Sequence, residues 1–403
     1  MSGQTTYEPW REQFERELRD NILDFWLKHT IDEANGGFFG EIDQYMKINP
    51  NAEKSLVLNA RIVWTFAAAY RFYKDERYLQ LAERAYGYLL EHFEDKEFGG
   101  MYWMVDAKGK PSQTKKQVYG QAFTIYALSE LYRATGKQAA LDKAIELFRL
   151  LEKHSYDPIH RGYVEALARN WEATGDLSLS GKDLNEKKSM NTHLHVLEAY
   201  TNLYRVWQTE ELEMKHKELI EVTLDHIVDP DTAHFKLFFD DEWVSKNDHI
   251  SYGHDIEGSW LLYEAAEVNG DAALLARVKD TAIKMAEATL NEGVDPDGGM
   301  INEADSSGYT DTNKDWWPQA EAVVGFYNAY QLTGDEKFKQ AAWNSWSFID
   351  RYIVDKADGE WFWSVTRDGK PTIGHGKVNA WKCPYHNSRA CFEMIERLSG
   401  GHQ

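Results

Sequence analysis

Polar side chains able to move protons or bind oxygen recur at the starts of six apolar segments of this 403-residue chain. Asn59 and Arg61 open the first, Tyr119 and Gln121 the second, and Asn191, His193 and His195 the third. His254-Asp255-Ile256-Glu257 opens the fourth and Trp316-Trp317-Pro318-Gln319-Ala320-Glu321 the fifth, while Trp381 leads to Tyr385, His386 and Arg389 in the sixth. A polar group in such a setting costs desolvation unless something pairs with it, so packing alone does not account for the set. Asn191, His195 and Glu198 lie at i, i+4 and i+7 and share one helix face, from which His193 points away. His195 is therefore the histidine expected in a site, against the alternative of a core histidine satisfied by Glu198. His254 and Glu257 are i, i+3 neighbours, and His386 shares a face with Arg389 and Lys382. Arg61, between Ala60 and Ile62, needs an anion or a carboxylate once buried.

Histidines, an arginine, two carboxylates and several Trp rings suit a carbohydrate, whose C–H faces stack on indoles and whose hydroxyls bind Asp, Glu, Asn and Arg. Two chemistries compete. Glycoside hydrolysis needs paired carboxylates flanking the bond, for which Glu257 and Glu321 are available. Proton transfer next to a carbonyl needs a base on each face of an enediolate, for which His254 and His386 are available. Helix amino termini depress a histidine pKa and favour a developing oxyanion, which tilts the choice toward the histidines. No metal is expected: a His-Glu-x-x-His helix and a cysteine cluster are both missing, and His193 and His195 have the wrong phase to chelate together. Gly-rich phosphate loops are missing too, so no cofactor is expected. His29, His92, His154, His216 and His226 fall on other helix patterns, and His249 and His375 fall in loops.

These groups have to be positioned by a repeat. Gly-marked aromatic segments recur at Gly36-Gly37-Phe38, Gly99-Gly100-Met101, Arg161-Gly162-Tyr163, His234-Phe235, Gly298-Gly299-Met300 and Gly359-Glu360-Trp361, about 60 to 70 residues apart. Each reads as a short β-hairpin or turn. Between them, amphipathic stripes such as Tyr78 to Phe93 alternate with stretches apolar nearly all round, such as Ser55 to Tyr73. Six outer and six inner helices predict an all-α, (α/α)6 barrel, one catalytic domain over 1–403. The alternative is an open helical solenoid, whose terminal repeats should be more polar than the middle ones. Short Gly-capped turns at one rim and long hairpins at the other put the site at the hairpin rim.

Composition narrows the partners. A net charge of −21, from 45 basic and 66 acidic residues, disfavours nucleic acid and anionic membrane. Met1 to Asp20 lacks an apolar signal core and no stretch approaches a membrane span, so a cytoplasmic protein is expected. The expected oligomeric state is a monomer. Cys383 and Cys391, read as eight positions apart on one helix, would sit roughly 12 Å apart, too far for a disulfide. The 15 tryptophans exceed what core filling usually needs and point to rings facing a ligand.

Asn59-Ala60-Arg61-Ile62, Met190-Asn191-Thr192-His193-Leu194-His195, Gly253-His254-Asp255-Ile256-Glu257, Trp316-Trp317-Pro318-Gln319-Ala320-Glu321 and Trp381-Lys382 through Tyr385-His386-Asn387 together resemble the cellobiose 2-epimerases of the N-acylglucosamine 2-epimerase superfamily. The resemblance implies an (α/α)6 barrel that needs no metal or nucleotide and inverts C2 of the reducing-end glucose of β-1,4 disaccharides. It implies His254 and His386 as the general acid/base pair and His195 as an aid to ring opening. Arg61 would bind the C1 and C2 oxygens, Tyr119, Asn191, Glu257 and Glu321 would orient hydroxyls, and Trp316, Trp317 and Trp381 would line the sugar subsites. Related activities left open are an aldose–ketose isomerase, a mannose or N-acylglucosamine type of 2-epimerase, an (α/α)6 glycoside hydrolase and a non-catalytic sugar-binding toroid.

Overall fold

The six apolar segments form helices Leu56–Tyr73, Val118–Thr135, Met190–Tyr204, Tyr252–Asn269, Trp316–Thr333 and Tyr385–Leu398 in a computed structural model that describes residues 8–400. Residues 1–7, the start of the polar amino-terminal stretch, and 401–403 lie outside the described residues. Every residue from Leu56 through Ala69 is buried, which only a helix covered on all sides can achieve. The outer helices bury a single stripe instead. In Glu76–Tyr88 it comprises Tyr78, Leu81, Ala82, Ala85, Tyr86 and Tyr88. The others are Gln138–His154, Glu210–Val222, Ala272–Glu292, Glu336–Phe348, and a first helix running from Glu8–Arg16 through a π-helical stretch, Glu17–Leu23, into Asp24–His29. Inner and outer helices alternate as an (α/α)6 barrel.

At one rim four of the connections are two-residue turns closed by residues in the left-handed region, Gly136 (φ 71°), Gly270 (φ 84°), Gly334 (φ 71°) and Lys74 (φ 53°), the last standing where glycine is preferred, while the third repeat uses the longer connection 205–209. The following Asp75, Asp271 and Asp335 accept amide N–H bonds as caps of the outer helices. At the other rim each outer helix runs into a tight turn closed by one antiparallel bridge: Ile31–Phe38, Glu94–Met101, Tyr156–Tyr163, Val228–Phe235, Val294–Met300 and Val354–Trp361.

Strands at this second rim sew the repeats together. The two residues before each of the first five inner helices pair with the next repeat: 54–55 with 104–105, 116–117 with 166–167, 188–189 with 238–239, 250–251 with 303–304 and 314–315 with 364–365. The sixth repeat pairs back to the first through Val378 and Ile42. That last bridge closes the ring, which an open solenoid lacks.

Two inner helices start elsewhere than the sequence pattern suggested. The fourth begins at Tyr252, ahead of Asp255, with Ser251 at its cap position. The sixth begins at Tyr385 rather than Lys382, because Asn379 Oδ1 accepts the amides of Trp381 and Lys382 in a turn and Pro384 then sets the first turn. Cys383 therefore precedes the helix that carries Cys391, and both are buried free thiols. No helix among the described residues is long and apolar enough to cross a membrane.

Candidate active site

Several polar residues at the hairpin rim are taken up by the scaffold. Gln121 and Gln319 each clamp a hairpin by accepting from the N–H and donating to the C=O of one residue, Met101 and Met300, all at 2.8 Å. His193 uses both ring nitrogens: Nε2 accepts from the Tyr163 amide at 2.8 Å and Nδ1 donates to the Ser189 carbonyl at 2.7 Å. Lys382, grouped above with His386, pairs instead with buried Glu360.

His195, His254 and His386 are held by Nδ1 alone. The partners are Glu198 Oε2 at 2.8 Å, Ser251 Oγ at 2.7 Å and Glu321 Oε1 at 2.6 Å. In all three rings Nε2 makes no hydrogen bond to the described residues, so it is the atom available to a substrate. Trp317 links two of them, its ring centre 4.6 Å from that of His254 and 5.6 Å from that of His386, and the Tyr119 ring lies 5.0 Å from His195. Room for Trp317 depends on Gly253, where a Cβ would come within 2.6 Å of the indole. Burial, reinforced by the nearby His195, brings His254 down to about 3, although the residue is only partly buried. Burial likewise lowers His195, against the pull of Glu198. His386 is lowered by burial and then by Arg61 and Arg389. Its contact with Glu321 does not reverse this, because that carboxylate is also compensated by Arg389. The expected i, i+3 contact of His254 with Glu257 is replaced by the bond to Ser251.

Arg389 is the hub of the buried layer. One Nη2 sits 2.7 Å from Glu257 Oε1 and 2.6 Å from Glu321 Oε1, while Nη1 meets Glu198 and the Tyr385 hydroxyl. The carboxylates come from the third, fourth and fifth inner helices and the guanidinium from the sixth. Burial works to raise Glu198, yet Arg389 and the His195 bond bring it down to about 2. Burial and then Glu321 hold Glu257 well above the usual carboxylate range. This arrangement speaks against a hydrolase pair: carboxylates sharing one guanidinium nitrogen do not flank a glycosidic bond, which needs about 5 Å or more of open separation.

Arg61 has the opposite environment. It donates to the Trp381 carbonyl at 3.1 Å and the Tyr119 hydroxyl at 2.9 Å, touches Cys383 Sγ at 4.0 Å, and lies over the rings of Phe123 and Tyr385 at 4.3 and 4.9 Å. Among the described residues no carboxylate pairs with it. The sequence reading asked for an anion or a carboxylate beside this residue, and the charge is left for something not part of the protein. Arg61 Nε, Asn191 Oδ1, Glu257 Oε2 and Trp316 Nε1 are also buried without a hydrogen-bond partner. Trp381 stands beside Tyr119, ring centres 5.9 Å apart, and Trp103 behind it at 6.0 Å. Trp316 is buried against Trp363 at 4.5 Å, so it offers its N–H rather than an open ring face.

Among the described residues, two clusters bring three ligand-type groups together. Glu257, Glu321 and His386 converge within 4.8 Å, but Arg389 already supplies the positive charge between the two carboxylates. Asp248, His249 and Asp305 converge on the rim, where Asp305 is engaged by the amides of Ser307 and Tyr309. The set that remains is three neutral histidines with free Nε2, one uncompensated guanidinium, and aromatic walls. It suits proton transfer beside a carbonyl whose oxygen becomes anionic. Sequence reading placed Arg389 and Tyr385 on the right helix without a role, and passed over Ser251 and Trp260, whose Nε1 donates to Glu321 at 3.0 Å. The sequence signal for the hub was the face that Arg389 shares with His386.

Comparison with known proteins shows the family. The family model N-acylglucosamine 2-epimerase (GlcNAc 2-epimerase) matches residues 37–390. A protein of Bacteroides fragilis named cellobiose 2-epimerase is 48% identical over 386 residues, covering 96% of this chain and 98% of its own. The solved structure of cellobiose 2-epimerase from Bacillus thermoamylovorans B4167 superposes with a TM-score of 0.92 at 43% identity, covering 96% of this chain and 99% of that one. A D-mannose isomerase structure gives a TM-score of 0.83 at 21% identity over 98% of this chain and 100% of that one, which speaks for the shared fold alone.

Proposed function

We propose, because the chain belongs to the N-acylglucosamine 2-epimerase family, that it is a cellobiose 2-epimerase, inverting C2 of the reducing-end glucose of β-1,4-linked disaccharides. Cellobiose would become glucosyl-mannose and lactose epilactose. The observation that carries the reading is the set of three histidines fixed through Nδ1, with Nε2 free, together with a buried guanidinium that no carboxylate among the described residues neutralises. The proposal takes 1–403 as one catalytic domain working as a cytoplasmic monomer, with a proton inventory that calls on no metal or cofactor.

His195 assists opening of the sugar ring. One of His254 and His386 takes the C2 proton at Nε2, and the electron pair left behind spreads onto the C1 oxygen as a cis-enediolate. Arg61 meets that oxygen with a charge that nothing else offsets, so the interaction strengthens as the anion develops. Rotation about C2–C3 presents the other face, where the opposite histidine, having taken a proton from solvent at Nε2, delivers it to C2, while the first histidine gives the abstracted proton up to solvent. Tyr119, Asn191 and Glu257 orient hydroxyls, and Trp317, Trp381 and the Trp316 N–H bound the sugar. Glu321 departs from its expected role: its oxygens are engaged by Trp260, His386 and Arg389, so it acts on the sugar through His386.

Incubation with cellobiose in D2O tests the proposal. The expected products are the two C2 epimers, each carrying deuterium at C2 by NMR. Free glucose, a ketose as the accumulating product, or an unlabelled epimer overturns it.

A further inference from the structure

Three inner helices carry serine at the cap position, and they use it differently. Ser55 Oγ accepts the Leu58 amide at 3.0 Å and Ser189 Oγ accepts the Thr192 amide at 3.1 Å, as helix caps do. Ser251 stands at the same position of the fourth inner helix, is 5% exposed, and caps nothing. Its hydroxyl is turned to His254 Nδ1 at 2.7 Å. The other two histidines with free Nε2 rest on carboxylates, Glu198 and Glu321, at the same nitrogen. The far side of the His254 ring is bounded by Trp317, which Gly253 admits.

We infer that Ser251 is a positioning residue, fixing His254 as the tautomer that carries its proton on Nδ1 and aims a bare Nε2 at the substrate. The inference rests on the proposed epimerisation. Ser251 Oγ accepts the Nδ1–H bond throughout. When Nε2 takes the C2 proton, the ring becomes a cation that keeps both N–H groups, and no proton passes to the serine. In water, imidazole samples both tautomers, so without an Nδ1 acceptor the ring presents Nε2–H, which is not a base, for part of the time. A hydroxyl does this without adding a further carboxylate to a layer that already holds Glu198, Glu257 and Glu321.

The test uses Ser251→Ala, Ser251→Thr and Ser189→Ala beside the wild type, on cellobiose and by long-range 1H–15N spectra of enzyme labelled at histidine. In the wild type the His254 resonances should be those of the Nδ1–H tautomer. In Ser251→Ala they should move toward the Nε2–H form, kcat should fall at least about tenfold with KM within about twofold, and Ser251→Thr should recover most of the loss. The melting midpoint should fall in Ser189→Ala, which removes a working cap, and hold in Ser251→Ala, which does not. A wild-type kcat in Ser251→Ala, an unchanged His254 tautomer, or a Thr variant as poor as Ala overturns the inference. A wild type that leaves cellobiose unchanged overturns the epimerase reading instead, and the tautomer spectra still decide the role of Ser251.

Discussion

His193 and His195 lie two positions apart on one helix and do unrelated work, because one has both nitrogens bonded by the scaffold and the other has one. Helical phase was enough to separate them from sequence. It was not enough to find Arg389, since the carboxylates that define its role arrive from three other helices, and spacing along one segment carries no trace of them. The same accounting of nitrogens classifies His216, which bonds Thr201 Oγ1 through Nε2 at 2.9 Å and approaches the Asn269 side-chain amide through Nδ1 at 3.4 Å, far from the histidine triad in sequence and role. Burial brings its pKa from 6.5 down to about 3. A histidine depressed in the folded state stays neutral where the unfolded chain takes a proton, so its stabilising contribution is whole above pH 6.5 and is lost as pH falls toward 3. Between pH 7.5 and pH 5 this one group should cost the wild type about 2 kcal/mol of unfolding free energy. His216→Gln, less stable at every pH, should lose that much less over the interval by urea denaturation. Parallel curves for the two proteins would sink the assignment.

The hairpins were legible as Gly-marked punctuation, but the device that holds them was not. In five repeats a buried lysine near the start of the inner helix reaches back to an aspartate that opens the turn: Lys54 to Asp32, Lys116 to Asp95, Lys188 to Asp157, Lys314 to Asp295, and Lys377 to Asp355. Lys54, Lys188 and Lys377 also donate to a carbonyl of the same turn, at Gly36, Arg161 and Gly359. The fourth repeat has Ile250 at the corresponding place, and there His234 joins Asp255 and Glu292 at 2.7 and 3.0 Å. Polar residues in a sequence read as loop content, and only the fold reveals that these are enclosed. Each pair ties an outer-helix exit to an inner-helix entrance, so it fixes where the catalytic first turn begins. Lys54→Met strands Asp32, whose side chain keeps only bonds from Ala34 and Asn35. Breaking a buried pair from one side costs about 3–5 kcal/mol. Denaturant unfolding should show a loss of that order, and a loss below about 1 kcal/mol would mean the pair is not enclosed as the structure has it.

Six repeats of similar length made the barrel readable, yet periodicity cannot say whether the last repeat meets the first. The seam decides it. Ile42 and Val378 exchange both backbone bonds, at 3.0 and 3.2 Å, and the segment that follows delivers the Trp381 carbonyl to Arg61. Ring closure and the uncompensated guanidinium therefore share a support, which links the whole molecule to its chemistry. Gly376 lies in that seam, where a Cβ would stand 2.3 Å from the Ile42 carbonyl oxygen, a backbone atom with no freedom to swing aside. Gly376→Ala should force the first and sixth repeats apart, lowering stability by about 1–3 kcal/mol as overpacking does, and lowering kcat as Arg61 loses its placement. Gly87 provides the contrast. It sits on the exposed face of the outer helix Glu76–Tyr88 with nothing within 4 Å of an added Cβ, so Gly87→Ala should stabilise by about 0.5–1 kcal/mol and leave turnover alone. If both alanines behaved alike in denaturant and in turnover, the seam would carry no strain between the terminal repeats, and the barrel would owe its closure to helix packing alone.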